Sequence, residues 1–547
     1  MTDTANEIAR LVACHLEAAG VKRVVLSPGS RNAPLCMAVS CRSGLTADVV
    51  VDERSAAFIA LGIAAQSGEP VAMVCTSGTA VLNYGPALAE AYYRQIPLIA
   101  VTADRPARWV DCLDSQTIRQ PGVFANYVKA SYDITTPDEV EPVMRAAMRE
   151  ALSGFRGPVH VNVRIGEPIG ALADVEMLPA HTAGYADNCG DITYDSFPAA
   201  TLAGERILIV AGGIEPEESL AERIRRLASC SNVVMLRELN ANLPGAPVPA
   251  VNCPDVFFVT PPATAPTVVV TVGGAIISGP LKKYLRSIAG LRHIAVAQPG
   301  RPDTFGCLCA VVAPGFLDEL AAVLEGAPAS DFRSAWLSRA GMVRRIATNY
   351  IEKNGFTALS AVCALCDMLP ANTTLHLSNG MTVRYAQFAD TDRLLRRDCN
   401  RGVSGIDGCT STAMGAASAI STPLVLLSGD MSAQYDMGAL AWSGVPANFR
   451  MAVLDNGGGN IFRHIAATRG LPMCDRCLVA DVRLPLRALA DAYGFRYFEA
   501  VDRASLAVAA PLWLSSPGPA IMRIVTDGPQ DAVTYRKLFD YVRKKLD

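Results

Sequence analysis

Two apolar runs, each emptying into an oxygen-bearing side chain beside glycine, constrain this chain more than any other feature. Pro423-Leu424-Val425-Leu426-Leu427 leads into Ser428-Gly429-Asp430, and Met451-Ala452-Val453-Leu454 leads into Asp455-Asn456-Gly457-Gly458-Gly459-Asn460. Unbroken apolar runs of this length read as strands covered on both faces, which is the habit of parallel sheets, and ligands bind at the C-terminal ends of such strands. Asp430 offers a carboxylate, Asn456 an amide oxygen and the glycines a closely approaching backbone carbonyl. A set of that kind suits a hard cation such as Mg²⁺, which takes an octahedron of oxygens and completes it with water and substrate phosphates. Gly, Asp and Asn are also the ordinary turn formers, so the two strand ends do not decide the matter alone.

The same rhythm recurs along the chain. A helix with Ile8, Leu11, Val12, His15 and Leu16 on one face stops at Gly20. Short apolar runs follow at Val24–Leu26, Val49–Val51, Val71–Cys75, Pro97–Thr102 and Val159–Val163, with helical stretches between them. Strands alternating with helices in this way predict an α/β domain around a parallel sheet. A segment from Glu167 to Ala203, rich in acidic, Gly, Pro and Asn residues, reads as a linker. A second α/β unit follows, with strands near Arg206–Gly213, Val233–Leu236, Val268–Val272 and His293–Ala297. Gly273-Gly274 follows a strand, but no GxGxxG with a downstream acid accompanies it, which argues against a dinucleotide site. Residues 316–350 read as helical and lead to a third unit that contains the opening stretch. A chain of 547 residues is too long for one core, and three units of similar size are the expected organisation.

Composition narrows the class. The net charge of −3 and the lack of a basic stripe give nothing for nucleic acid or an anionic membrane to bind. The first residues, Met1 to Glu7, are acidic and polar and unlike a signal peptide, so a cytoplasmic enzyme is expected. Cys409 to Gly429 carries no charge, yet its Ser, Thr, Gly and Pro content reads as a buried helix and strand rather than a membrane span. Sixteen cysteines without a secretory signal argue for reduced thiols. The pairs Cys363/Cys366 and Cys474/Cys477 have zinc-like internal spacing but lie about a hundred residues apart, the first within a helical pattern, so they read as structural.

The Asp430…Asn456 pattern resembles the metal-binding motif of thiamine diphosphate enzymes. Glu53, directly after an early strand, matches the glutamate that in those enzymes bonds the cofactor's aminopyrimidine ring; on its own it reads rather as an acid balancing the dipole at a helix N-terminus. The motifs Ser27-Pro28-Gly29-Ser30-Arg31-Asn32, Asp52-Glu53-Arg54-Ser55, Cys75-Thr76-Ser77-Gly78-Thr79, Thr102-Ala103-Asp104-Arg105-Pro106, Asn400-Arg401-Gly402-Val403-Ser404-Gly405-Ile406-Asp407-Gly408 and Asp455-Asn456-Gly457-Gly458-Gly459-Asn460-Ile461-Phe462 come in order along the first and third units. Together they resemble one family closely, the 2-succinyl-5-enolpyruvyl-6-hydroxy-3-cyclohexene-1-carboxylate synthases of menaquinone biosynthesis. The central unit matches in pattern only.

The resemblance implies three doubly wound parallel-sheet domains: pyrimidine-binding (1–180), central (181–345) and pyrophosphate- and metal-binding (346–547). It implies a homodimer or dimer of dimers with thiamine diphosphate and Mg²⁺ or Mn²⁺ between subunits. The implied reaction is that of a transferase, which decarboxylates 2-oxoglutarate and adds the succinyl carbanion equivalent to isochorismate in a Stetter-type conjugate addition. By position, Asp430, Asn456 and the Gly458 carbonyl match the metal ligands. Glu53, Ser77, Gly78, Ile406, Gly429, Met431, Ser432, Asn456, Ile461 and Phe462 match cofactor contacts, with Ile406 as the aliphatic prop under the bent cofactor. Arg31, Gln116, Arg384 and Arg401 match catalytic and substrate-contacting places, joined by Arg105, by Ile461 and Phe462, and by Lys282 or Lys283 as the central domain's basic contact. Guanidinium forks suit substrates that are dicarboxylates. Gly380 stands where many members carry serine, Ser115 where asparagine often precedes Gln116, and Asp455-Asn456-Gly457 replaces a triple asparagine. Two other readings remain open at this point: an acetolactate-synthase-like enzyme taking pyruvate, and a catalytically silent thiamine-fold subunit.

Overall fold

The structure is a computed structural model describing residues 4–166, 192–245, 248–482 and 484–547. Its architecture is three six-stranded, all-parallel sheets flanked by helices. In the first sheet β1 (Arg23–Leu26), β2 (Thr46–Val49), β3 (Val71–Cys75), β4 (Leu98–Asp104), β5 (Ser131–Ile134) and β6 (Val159–Arg164) are ordered β2-β1-β3-β4-β6-β5. The second holds β7 (Ile207–Ala211), β8 (Val233–Arg237), β9 (Ala250–Val251), β10 (Val268–Val272), β11 (Arg292–Val296) and β12 (Leu308–Val312), ordered β12-β11-β10-β7-β8-β9. The third holds β13 (Thr374–Leu377), β14 (Arg396–Asp398), β15 (Leu424–Gly429), β16 (Phe449–Asp455), β17 (Arg496–Ala500) and β18 (Ala520–Val525), ordered β14-β13-β15-β16-β18-β17.

The central strands are the apolar runs of the sequence: β3, β4, β7 and β8 are buried at every residue, as helices on both faces require. The edges read differently. The run at Val49–Val51 places its strand too late: β2 spans Thr46–Val49 because Thr46 pairs with Arg23 and Val49 with Leu26, and Val51 turns out to solvent. An edge strand covered on one side does not need an apolar run, and the same reason hides β5, β9 and β12. The helical stretch expected over 316–350 is two helices, Phe316–Glu325 and Phe332–Lys353, parted by a turn that contains Gly326 and Pro328. The charge-free stretch at 409–429 is the helix Cys409–Ser418 followed by β15, and no described helix is long and apolar enough to cross a membrane.

The chain divides into two compact units. One comprises residues 1–192, 402–424 and 435–449; the other comprises 193–401, 425–434 and 450–547. In the first, the helix Glu53–Ser67 packs on Cys409–Ser418 through paired glycines. A Cβ at Gly62 would lie 1.9 Å from the Thr412 carbonyl oxygen, and one at Gly415 2.1 Å from that of Ile59, so only hydrogen permits this approach. In the second, one continuous apolar core runs from Leu208 and Phe257 through Trp336 to Leu427 and Trp513 and joins both sheets. The expected boundary at 180/181 and most of the expected linker, residues 167–191, lie outside the described residues.

Candidate active site

The candidate residues fall on both units. In the first unit β1 and β3 are adjacent, and their next helices depart to opposite sides, which makes their C-terminal ends a switch-point crevice. Ser27 closes β1, its Oγ donating to the Val50 carbonyl at 2.9 Å. Arg31, in the following loop, is buried and donates to the Ile165 carbonyl at 3.0 Å. At the end of β3, Ser77 Oγ donates to the Gln116 carbonyl (2.9 Å) and Gln116 Nε2 to the Ser77 carbonyl (2.6 Å), so the two residues hold each other. Gly78, at φ +82°, permits this, since a Cβ there would lie 2.6 Å from Gln116 Cγ. Ser115 sits at φ +51°, a left-handed conformation to which asparagine is better suited, and accepts from Arg105 Nη2 at 3.2 Å.

Glu53 opens the helix that follows β2, but it is not the cap. Asp52 is, accepting from the N–H groups of Arg54 (2.9 Å) and Ser55 (3.3 Å). The half-buried Glu53 carboxylate instead lies beside Asn83, whose Nδ2 approaches Oε2 at 3.5 Å, and within electrostatic reach of Cys75 and Tyr84. Ile406 lies half-buried in the loop before the helix Cys409–Ser418.

In the second unit β15 ends at Gly429, whose N–H donates to Ser378 Oγ at 3.2 Å. Asp430 opens the next helix and is buried. Its Oδ1 accepts from the Met431 N–H (2.7 Å), and its Oδ2 from those of Asn456 (3.1 Å) and Gly458 (2.8 Å). Burial raises its pKa to about 6 and the Asp455 carboxylate adds to the rise, while the three N–H groups act against it. Asn456 Oδ1 is buried and has no hydrogen-bond partner among the described residues. At Gly458, φ +135°, a Cβ would meet the Ala480 and Val479 carbonyl oxygens at 2.2 and 2.5 Å. An unsatisfied amide oxygen beside a desolvated carboxylate fits a hard cation. The departure at 455 is accommodated elsewhere: Asp455 pairs with Arg523 at 2.6 Å. Met431 and Phe462 flank Gly459, whose Cβ would meet both side chains near 3 Å, 2.9 and 3.1 Å respectively. Ser432 is buried on the same helix as Asp430, and Ile461 packs against the core. Among the described residues no three His, Cys, Asp or Glu side chains converge on a metal position; this corner is of another kind, with one carboxylate and one amide oxygen, while the Gly458 carbonyl accepts from the Asn460 N–H at 2.7 Å.

Arg401 Nη1 donates to Asn379 Oδ1 at 3.0 Å, and Asn379 Nδ2 donates to the Asn400 carbonyl at 2.6 Å. Arg384 donates to the Gly380 carbonyl. Gly380 itself adopts φ +104°, a conformation that serine resists, although a Cβ there would meet nothing within 4 Å. Lys282 is half-buried, with Nζ on the Ile276 carbonyl at 3.0 Å; burial lowers its pKa, and Arg401 and Arg384 add to the lowering. Lys283 is exposed. The structure thus brings Arg384 and Arg401 each within electrostatic reach of Lys282.

Some positioning residues escaped the sequence reading. Gln120 accepts from the Gly78 N–H at 2.9 Å. Glu90 grips the Gly402 and Val403 N–H groups at 2.8 and 2.7 Å; its signal was a charge on the buried face of its helix, between Ala87 and Ala91. Glu238, missed as well, carried a comparable signal, a charge directly after the fully buried β8. A cavity of about 490 Å³ lined by His464, Arg469, Tyr535, Arg536 and Lys537, among others, contains none of the expected site residues.

With this geometry in view, the comparisons decide the family. Residues 6–127 match the model described as thiamine pyrophosphate enzyme, N-terminal TPP binding domain. A protein of Desulfotalea psychrophila is 37% identical over 89% of this chain and 92% of its own length, and one of Porphyromonas gingivalis is 33% identical over 96% and 95%. One of Bacteroides thetaiotaomicron is 32% identical over 99% of each chain. All three are named 2-succinyl-5-enolpyruvyl-6-hydroxy-3-cyclohexene-1-carboxylate synthase. The chain belongs to this synthase family. As a member it is a thiamine diphosphate enzyme, and its three sheets are α/β domains of the thiamine diphosphate-enzyme type.

Proposed function

We infer that the chain catalyses the family's reaction: decarboxylation of 2-oxoglutarate and conjugate addition of the resulting four-carbon unit to isochorismate, within menaquinone biosynthesis. The observation that carries the cofactor half of this reading is the corner at Asp430, with its buried carboxylate fixed by three N–H groups and the unsatisfied Asn456 Oδ1 beside it. Asp430, Asn456 and the Gly458 carbonyl would hold Mg²⁺ or Mn²⁺, and Gly429, Met431 and Ser432 the diphosphate; Ser77, Gly78, Ile406, Ile461 and Phe462 would line the rings. Bound thiamine diphosphate supplies the nucleophilic carbon and electron sink that 2-oxoacid decarboxylation requires.

The chain's own residues do the rest. Glu53, freed from capping by Asp52, exchanges a proton at Oε2. Arg31, Arg105, Gln116, Arg384, Arg401 and Lys282 bind and orient the substrate carboxylates, and the fixed Ser77–Gln116 pair sets the Gln116 amide. The working form is a cytoplasmic homodimer or dimer of dimers with sites between subunits. Its domains are the pyrimidine-binding, central and pyrophosphate-binding ones in chain order, with bounds near 180 and 345.

The test is to supply 2-oxoglutarate and isochorismate with thiamine diphosphate and Mg²⁺, and to follow carbon dioxide and the coupled product. Release of carbon dioxide from pyruvate with no coupling to isochorismate would return the acetolactate-type reading. No spectroscopic response to the cofactor would return the silent subunit.

A further inference from the structure

We propose that Glu238 is a positioning residue of the dicarboxylate site, the built-in counter-ion of Lys282 and Arg401, which takes up a proton when a substrate carboxylate pairs with those cations. The proposal rests on the reading above, in which Lys282 and Arg401 face substrate.

The geometry is specific. Glu238 follows β8, is 1% exposed, and its own N–H is tied to the Ala211 carbonyl at 2.9 Å. Its Oε1 accepts from the N–H groups of Ile277 (3.1 Å) and Ser278 (2.9 Å). Ser278 is the N-cap of the helix Gly279–Arg286, and Lys282 on that helix reaches back to the carbonyl of Ile276. One carboxylate oxygen therefore fixes the turn from which Lys282 springs. The other, Oε2, is buried and has no hydrogen-bond partner among the described residues. Leaving a carboxylate oxygen buried and unsatisfied is costly unless nearby charge compensates. The charged groups facing Glu238 are Arg401 and Lys282, which favour its ionised form, and Asp255, which opposes it. Arg384 and Arg286 act on Lys282 in turn.

Burial places the Glu238 pKa at about 7, against the pull of Arg401 and the two N–H groups. The group is thus balanced between its two forms near neutrality. A substrate carboxylate arriving at Arg401 and Lys282 brings negative charge to the same place and raises the proton affinity of Glu238 further. Binding and protonation are then linked: the proton is taken from solvent, no other bond changes, and affinity falls as pH rises above about 7, towards tenfold per pH unit at full linkage.

The experiment measures KM and kcat for both substrates on the holoenzyme from pH 6 to 9, for the parent, Glu238→Gln and Glu238→Asp. In the parent, at least one KM is expected to climb several-fold per unit above pH 7. Glu238→Gln keeps an acceptor for both N–H groups but cannot ionise, and is expected to flatten that climb while kcat stays within about threefold. Glu238→Asp retains the charge and is expected to keep the climb at a displaced pH, so the test stands even where the glutamine variant does not fold. A KM profile that is flat in the parent, or identical in all three proteins, overturns the proposal. A uniform loss of kcat in Glu238→Gln with the climb intact also overturns it, as that is what a merely structural residue shows. Absence of turnover in the parent overturns the functional reading as well, whereas turnover with unmoved profiles overturns this proposal alone.

Discussion

Glu53 and Asp430 are both acids that open a helix directly after a strand region, one in each unit, yet their surroundings are opposite. Asp430 is 2% exposed and receives three backbone N–H groups between 2.7 and 3.1 Å. Glu53 is half-buried and receives one long contact of 3.5 Å from Asn83, because Asp52 has taken over the helix cap. A metal ligand benefits from a fixed position, since the octahedron around Mg²⁺ tolerates little distortion. A proton carrier needs an oxygen left open, since an atom saturated with donors resists protonation. On the proposed reading, the held carboxylate of one unit suits a metal ligand and the open carboxylate of the other a proton carrier.

The largest effect expected from breaking the contrast is at the open acid. Glu53→Gln preserves shape and removes the exchangeable proton, so turnover should fall by about 10²–10⁴-fold, the usual share of general acid–base catalysis, while cofactor affinity changes little. Steady-state kinetics with a cofactor titration reads both; unaltered kcat removes Glu53 from the chemistry. At the held acid the split reverses. Asp430→Asn places an NH₂ against donors and takes away the negative charge that would hold the cation, so apparent affinity for thiamine diphosphate with Mg²⁺ should drop by more than the ~10–100-fold typical of outer-sphere partners. Cofactor titration by circular dichroism checks it, and equal affinity in variant and parent rejects the metal assignment.

The two acids also differed in how far the sequence could place them. Asp430 and Asn456 follow unbroken apolar runs, and a parallel sheet carries such runs to adjacent strand ends almost irrespective of detail, so that corner was legible. The edge strands were not: β2 lay three residues earlier than its valines suggested, since pairing to β1 rather than hydrophobicity sets an edge register. Glu238 and Glu90 were legible only in hindsight as charges on buried faces. What they grip, the N–H groups of 277–278 and of 402–403, lies 39 to 40 and 312 to 313 residues away and follows no periodicity. The choice between Lys282 and Lys283 was equally out of reach, because adjacent helix positions differ by a rotation that only packing fixes.

That choice supplies a smaller prediction of the same form. Lys282 is held on the Ile276 carbonyl within reach of Arg401, and Lys283 stands in solvent. Lys282→Ala should raise the KM of one substrate by about 10-fold or more, as expected for a desolvated charge contact, and Lys283→Ala should leave it within twofold. The reverse order would exchange their roles.

A third buried carboxyl sharpens the comparison with the smallest effect. Asp436 is fully buried, and both its oxygens are satisfied by one residue, Oδ2 by the Ser411 N–H at 2.6 Å and Oδ1 by Ser411 Oγ at 2.7 Å. Both its oxygens are satisfied, so the signature expected of it is stability. Burial raises its pKa from 3.8 to about 7, despite Ser411 and Arg54, with Asp52 adding to the rise. Because the folded value lies above the unfolded one, the folded chain binds the extra proton between about pH 4 and 7. Its contribution is therefore complete below that window and is lost as pH climbs through 7. Glu238, Asp430 and Asp531 have raised values and add slopes of the same sign, so the informative quantity is the difference between variant and parent. Asp436→Asn, with Ser411 Oγ turned to accept, should make the loss of stability between pH 5 and 8 shallower by about 1–3 kcal/mol. Denaturant unfolding at the two pH values measures it, and parallel slopes would mean that Asp436 stays ionised in the folded protein, its two Ser411 donors outweighing its burial.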